Sequence, residues 1–83
     1  MERRIGAAVL LVKNREAIQK LNTIVSNHAD IVIGRQGIPL LEKNISIITL
    51  VLQGTTDEIG SLTGQLGRLT GVQVKSALIK DDE

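Results

Sequence analysis

The chain has no cysteine, no phenylalanine, tyrosine or tryptophan, and only one proline and one histidine in 83 residues. Without thiols it forms no disulfide and no thiolate metal site, a composition that fits a reducing compartment. An RNA-recognition module stacks bases on aromatic rings of its central strands, and there are no rings here to stack on. One imidazole falls short of the several converging ligands that a zinc or nickel site needs, so no metal is expected. Nor can a nucleophile be set beside a base, because no serine or threonine stands next to His28 by spacing. No catalytic residue and no cofactor are therefore expected.

Charge of one sign is also missing. Ten basic and nine acidic side chains leave a net charge of +1, and the only basic pair is Arg3-Arg4. Direct binding of nucleic acid is not expected from that balance. No apolar run approaches the 18 or so residues that span a bilayer. Arg3-Arg4 ahead of an apolar stretch has the look of a secretion signal, but Lys13-Asn14-Arg15-Glu16 stands where a small-residue cleavage site should be. The expectation is a soluble, cytoplasmic protein with no membrane partner, residues 1–83 forming one domain.

What the chain does have is two stretches that are apolar on both strand parities. Ile5, Ala7, Val9 and Leu11 would point to one side of a strand, and Ala8, Leu10 and Val12 to the other. Ile45, Ile47 and Val51 likewise oppose Ile48, Leu50 and Leu52. Between and after these stretches the apolar spacing changes. Asn14 is placed to cap a helix with Ala17, Ile18, Leu21, Ile24, Val25 and His28 on one stripe, ending near Asn27 to Ala29. A weaker strand runs from Asp30 to Gly37, with Gly37-Ile38-Pro39 punctuating its exit. Gly54 is expected to end the third strand. Thr55 and Glu58 form a capping box that opens a second helix with Ile59, Leu62, Leu66 and Leu69 on its apolar face, stopped by Gly71. Val72 to Lys80 supplies a fourth strand, followed by the acidic residues Asp81-Asp82-Glu83.

The order β-α-β-β-α-β predicts an α+β fold, the ferredoxin-like βαββαβ sandwich with a four-stranded antiparallel sheet and two helices on one face. The first and third strands are central in that topology and are the two doubly apolar segments. Thr49 marks the odd parity as the open one. Ile5, Ala7, Val9, Leu11, Ile45, Ile47, Thr49 and Val51 would then face away from the helices. Covering their apolar members recovers roughly 6 to 10 kcal/mol as an upper bound. That is comparable with the net stability of a whole domain, about 5 to 15 kcal/mol. A partner of the same kind is expected there, giving a homodimer or tetramer.

Two further features call for a reading. His28, Arg35, Gln36 and Gly37 are the candidates for binding a small ligand, with Arg35 able to grip a carboxylate or phosphate by a forked contact. Gly60, Gly64 and Gly67 fall on one face of the second helix, where three interior glycines cost about 2 to 3 kcal/mol relative to alanine. Close backbone approach is the expected return, to the sheet beneath, to a partner subunit or to a ligand.

Several blocks together resemble a known family. They are Arg4-Ile5-Gly6, Gly34-Arg35-Gln36-Gly37-Ile38-Pro39, Glu42-Lys43-Asn44-Ile45-Ser46, Gly54-Thr55-Thr56-Asp57-Glu58-Ile59-Gly60, Leu62-Thr63-Gly64-Gln65-Leu66-Gly67 and Gly71-Val72-Gln73-Val74-Lys75-Ser76-Ala77. In these the chain is similar to the proposed regulators of the iron-only hydrogenase system. The resemblance implies an ACT-like fold related to the ligand-binding half of nickel-responsive repressors. It also implies a regulatory role without catalysis, with a small-molecule effector or a hydrogenase-system protein as partner. The alternative is a purely structural interaction module. The nickel ligands of the repressor relatives have no equivalents here. Val12-Lys13-Asn14-Arg15-Glu16 lacks the glycine of an ACT effector loop, which argues against amino-acid binding.

Overall fold

A computed structural model of the chain describes residues 2–81; Asp82 and Glu83 of the acidic end lie outside the described residues. The elements are β1 (Arg3–Val12), α1 (Glu16–Asn27), β2 (Val32–Leu40), a 3-10 turn (Leu41–Lys43), β3 (Ile45–Thr55), α2 (Thr56–Gly67) and β4 (Val72–Lys80). The four strands form one antiparallel sheet in the order β2-β3-β1-β4, the ferredoxin-like arrangement. β1 and β3 are its central strands, as their doubly apolar sequences require.

Parity decides which side of the sheet is covered. Ala8, Leu10 and Val12 of β1 and Ile48, Leu50 and Leu52 of β3 are buried under the helices. Ala17, Leu21 and Val25 of α1 and Ile59, Leu62 and Leu66 of α2 complete that core. Each large apolar side chain so enclosed contributes about 1.5 to 3 kcal/mol against its exposed state. The register Leu10↔Ile48 and Ala8↔Leu50 keeps the covered set in line across the centre of the sheet.

The ends of the elements depart from the sequence reading in several places, the first being that β2 begins at Val32 and not at Asp30. β2 does not stop at Gly37 but runs through Pro39 to Leu40, which an edge strand permits because the missing N–H of proline can face outward. β3 passes through Gly54 to Thr55; a Cβ at Gly54 would come 2.8 Å from Ile31 Cγ2, so glycine there permits the close approach without ending the strand. α2 ends at Gly67, and the left-handed Gly71, at φ +81°, turns the chain into β4 instead of stopping the helix. Arg15, not Asn14, occupies the cap position of α1; the Asn14 side chain nonetheless accepts the Glu16 N–H at 2.9 Å.

α2 opens as expected. Thr55 Oγ1 accepts the Glu58 N–H at 3.1 Å, and Glu58 Oε1 accepts the Thr55 N–H at 2.8 Å. Both bonds satisfy amides that the first turn leaves without a helical partner.

Candidate functional site

The sheet has one face under the helices and one face open. On the open face, reading across β4, β1, β3 and β2, Ala77, Ala7, Val51 and Gly34 make one row. Lys75, Val9, Thr49 and Gln36 make the next, and Gln73, Leu11, Ile47 and Ile38 the third. Ile5 extends the face at one end and Ile45 with Leu40 at the other. Ile5 is 39%, Val9 45% and Val51 39% exposed, although they sit on the two central strands. Ala7, Leu11, Ile45, Ile47 and Thr49 are half-buried by their neighbours on the same face. The centre of this face is apolar, with Lys75, Thr49 and Gln36 crossing it.

The four ligand candidates divide between the two faces. His28 closes α1, where its Nδ1–H donates to the Ile24 carbonyl at 2.7 Å and its Nε2 meets Ser61 Oγ at 3.2 Å on α2. Ser61 Oγ also accepts from Gln65 Nε2 at 3.1 Å. His28 thus ties the two helices together at the edge of a recess of about 330 Å³ shared with Asp30, Asp57 and Glu58. Arg35 stands opposite Leu50, on the helix side of β2, and donates to Asn22 Oδ1 of α1 at 2.6 Å. Gly37 stands on that side too, opposite Ile48, whereas Gln36 pairs with Thr49 on the open face. His28 and Arg35 therefore hold different partners, and Gln36 is turned away from both. The Ser61 link escaped the sequence because it depends on how two helices pack.

The glycines of α2 are not pressed onto the sheet. Gly60, Gly64 and Gly67 are exposed, and a Cβ on any of them would meet nothing within 4 Å. Of the three expected reasons for the stripe, packing within the chain is overturned. The helix meets the sheet through Ile59, Leu62 and Leu66 instead, and the glycines look sideways over β4.

The acidity of Glu58 is clearly moved. Hydrogen bonds from Thr55, together with the nearby Arg3 charge, hold its carboxyl below the usual carboxylate range. Among the described residues no group of three or more His, Cys, Asp or Glu is arranged to hold a metal ion. None of the helices described is long and apolar enough to cross a membrane.

Residues 4–76 match the family model TM1266-like, described as "Iron-only hydrogenase system regulator, putative". The solved structure of the uncharacterized protein TM1266 from Thermotoga maritima is 35% identical and superposes with a TM-score of 0.89, over 95% of this chain and 100% of that one. The solution structure of the C-terminal domain of the MgtC protein from Mycobacterium tuberculosis shares the fold at a TM-score of 0.67, with 12% identity over 99% of this chain and 93% of that one. No curated protein matches the chain.

Proposed function

The chain belongs to the TM1266-like family, and from that membership we propose that it is a non-catalytic regulatory domain of the iron-only hydrogenase system that works by self-association, a second copy covering the open face of its sheet. One observation carries this reading. Ile5, Val9 and Val51 are about two-fifths exposed on the central strands, while Leu10, Leu50 and Leu52 beside them have no exposed surface at all. A sheet in a monomer that faced water on that side would be expected to alternate apolar and polar residues.

The size of the face fits the reading. Strands of this length in a four-stranded sheet present roughly 30 by 19 Å, on the order of 550 Å² per copy. Two such faces bury about 1,100 Å², just above the threshold of about 1,000 Å² for a specific interface.

Sedimentation or light scattering at micromolar concentration tests this directly. The wild-type chain should run at twice or four times its 9.0 kDa mass. Val51→Glu, which sets a carboxylate in the centre of the face, should lower that mass while leaving the circular dichroism unchanged. A well-folded wild-type monomer would refute the proposal. A metabolite screen by thermal shift separates a ligand-responsive regulator from a scaffold, because a specific ligand raises the melting temperature by mass action and a scaffold shows no response.

A further inference from the structure

The two edges of the sheet are not alike. β2 carries Pro39, which has no N–H to offer a neighbour, and its register shifts between Val32 and Gly34. Both features discourage another strand from adding there. β4 has neither. It pairs with β1 in unbroken register from Val12↔Val72 to Arg4↔Lys80, and no strand among the described residues lies on its other side. Its unpaired N–H and C=O groups form a template for a further strand.

Beside that free edge runs a groove of about 720 Å³, walled by Gly60, Gly64 and Gly67 of α2 and by Val72 and Val74 of β4. A lone extended peptide would satisfy the edge and leave the bare helix backbone above it uncovered. A strand that brings its own helix fills both. Antiparallel pairing about a two-fold axis at the β4 edge keeps the helices of both copies on the same side of the continued sheet. α2 then lies beside α2 of the partner, at an approach that side chains larger than glycine would obstruct.

We infer that two copies of the chain join through their β4 edges, continuing the sheet to eight strands, with the α2 helices meeting along Gly60, Gly64 and Gly67. Pairing about a two-fold axis matches helix-facing residues with helix-facing residues, so the centre falls on a single residue. Centred on Lys75, the ammonium would oppose its own copy, which is unfavourable. A centre at Ala77 would set both lysines against large apolar side chains, Lys75 against Ile79 and Lys80 against Val74. Ser76, the midpoint of Val72–Lys80, pairs the whole strand and leaves only Lys80 so placed, against Val72. With Ser76 at the centre, Lys75 meets Ala77 and Val74 meets Leu78, which is 40% exposed in the single chain. Ser76 is therefore the central residue. The side of the molecule used is roughly 30 Å by 16 Å, so the contact buries about 1,000 Å² in all, near the threshold for a specific interface. The groove also reaches Val9, Leu11, Gln73 and Lys75 of the open-face rows, so this contact adjoins the open face at the β4 border while using the strand edge and α2.

Because the chain has no cysteine, single cysteines report the register. Under mild oxidation Ser76→Cys should give a disulfide-linked dimer. Val74→Cys should not, since its two copies would stand roughly 13 Å apart, beyond disulfide reach. Gly64→Leu, which has room in the single chain, should halve the solution mass with the helical signal retained. Absence of a cross-link at Ser76→Cys, or a wild-type mass for Gly64→Leu, overturns the inference. Val51→Glu keeps the two readings apart. Cross-linking at Ser76→Cys should persist in the double variant whether or not the open face associates.

Discussion

Val9 and Leu10 are neighbours on β1, yet Leu10 is fully buried and Val9 is 45% exposed. One residue of the chain serves the core and the next lies on the open face of the sheet, which the proposed self-association would cover. Leu10→Ala should cost about 2 to 5 kcal/mol by opening a cavity in the core beside Ile48. Val9→Lys should leave the unfolding of the separated chain within about 0.5 kcal/mol of wild type and lower the solution mass. Chemical denaturation and light scattering on the two variants check both halves.

The His28 bridge is local and neutral in its effect on assembly. Replacing His28 by alanine removes its bonds to the Ile24 carbonyl and to Ser61, and should lower stability by about 1 to 2 kcal/mol. Ser61→Ala should cost less, because the Ile24 contact survives. Neither should change the mass, since both residues lie among the helices and away from the open face. A change in mass would show that the helix pair governs association.

The capping box makes part of the stability pH-dependent. Glu58 is held below the usual carboxylate range, chiefly by the Thr55 N–H. As pH falls the unfolded chain takes up that proton first. The contribution is therefore present above the ordinary carboxylate pKa and is lost as pH drops through the lowered one. Glu58→Gln should flatten the acid limb of a stability curve measured between pH 3 and 6 by denaturant titration. Thr55→Ala should cost about 1 kcal/mol throughout.

Gly71 holds φ +81°, and a Cβ there would come 2.7 Å from Asn14 Cβ. Its carbonyl accepts the Lys13 N–H at 2.8 Å, fastening the end of β1 to the start of β4. Gly71→Ala should cost on the order of 1 to 3 kcal/mol. Thermal unfolding measures it, and unchanged unfolding would mean that the turn can relax.

The fold was legible because periodicity reports burial. Leu10, Leu50 and Leu52 fall on the buried parity, and Thr49 alone was enough to mark the other as open. Boundaries were harder where one residue had two meanings. Pro39 reads as an end in a central strand and as a passenger in an edge strand, and nothing local tells which strand is at the edge. Leu69 prolongs the apolar spacing of α2 into what is a turn, and so places the expected helix end at Gly71 instead of Gly67. Arg35 and Gln36 are adjacent in sequence and therefore point to opposite faces of a strand, which no grouping by proximity can overcome. The glycine stripe was visible as a pattern, but its direction was set by the rotation of α2 on the sheet.

Pro39 and the irregular pairing after Val32 have one more effect. A molecule with two receptive borders could add copies without end, as fibrils do, whereas one with a single receptive border is used up after one partner has docked. In the proposed pairing a blunted β2 would make the β4 contact self-limiting, so that growth along the strand-stacking direction would terminate at a pair.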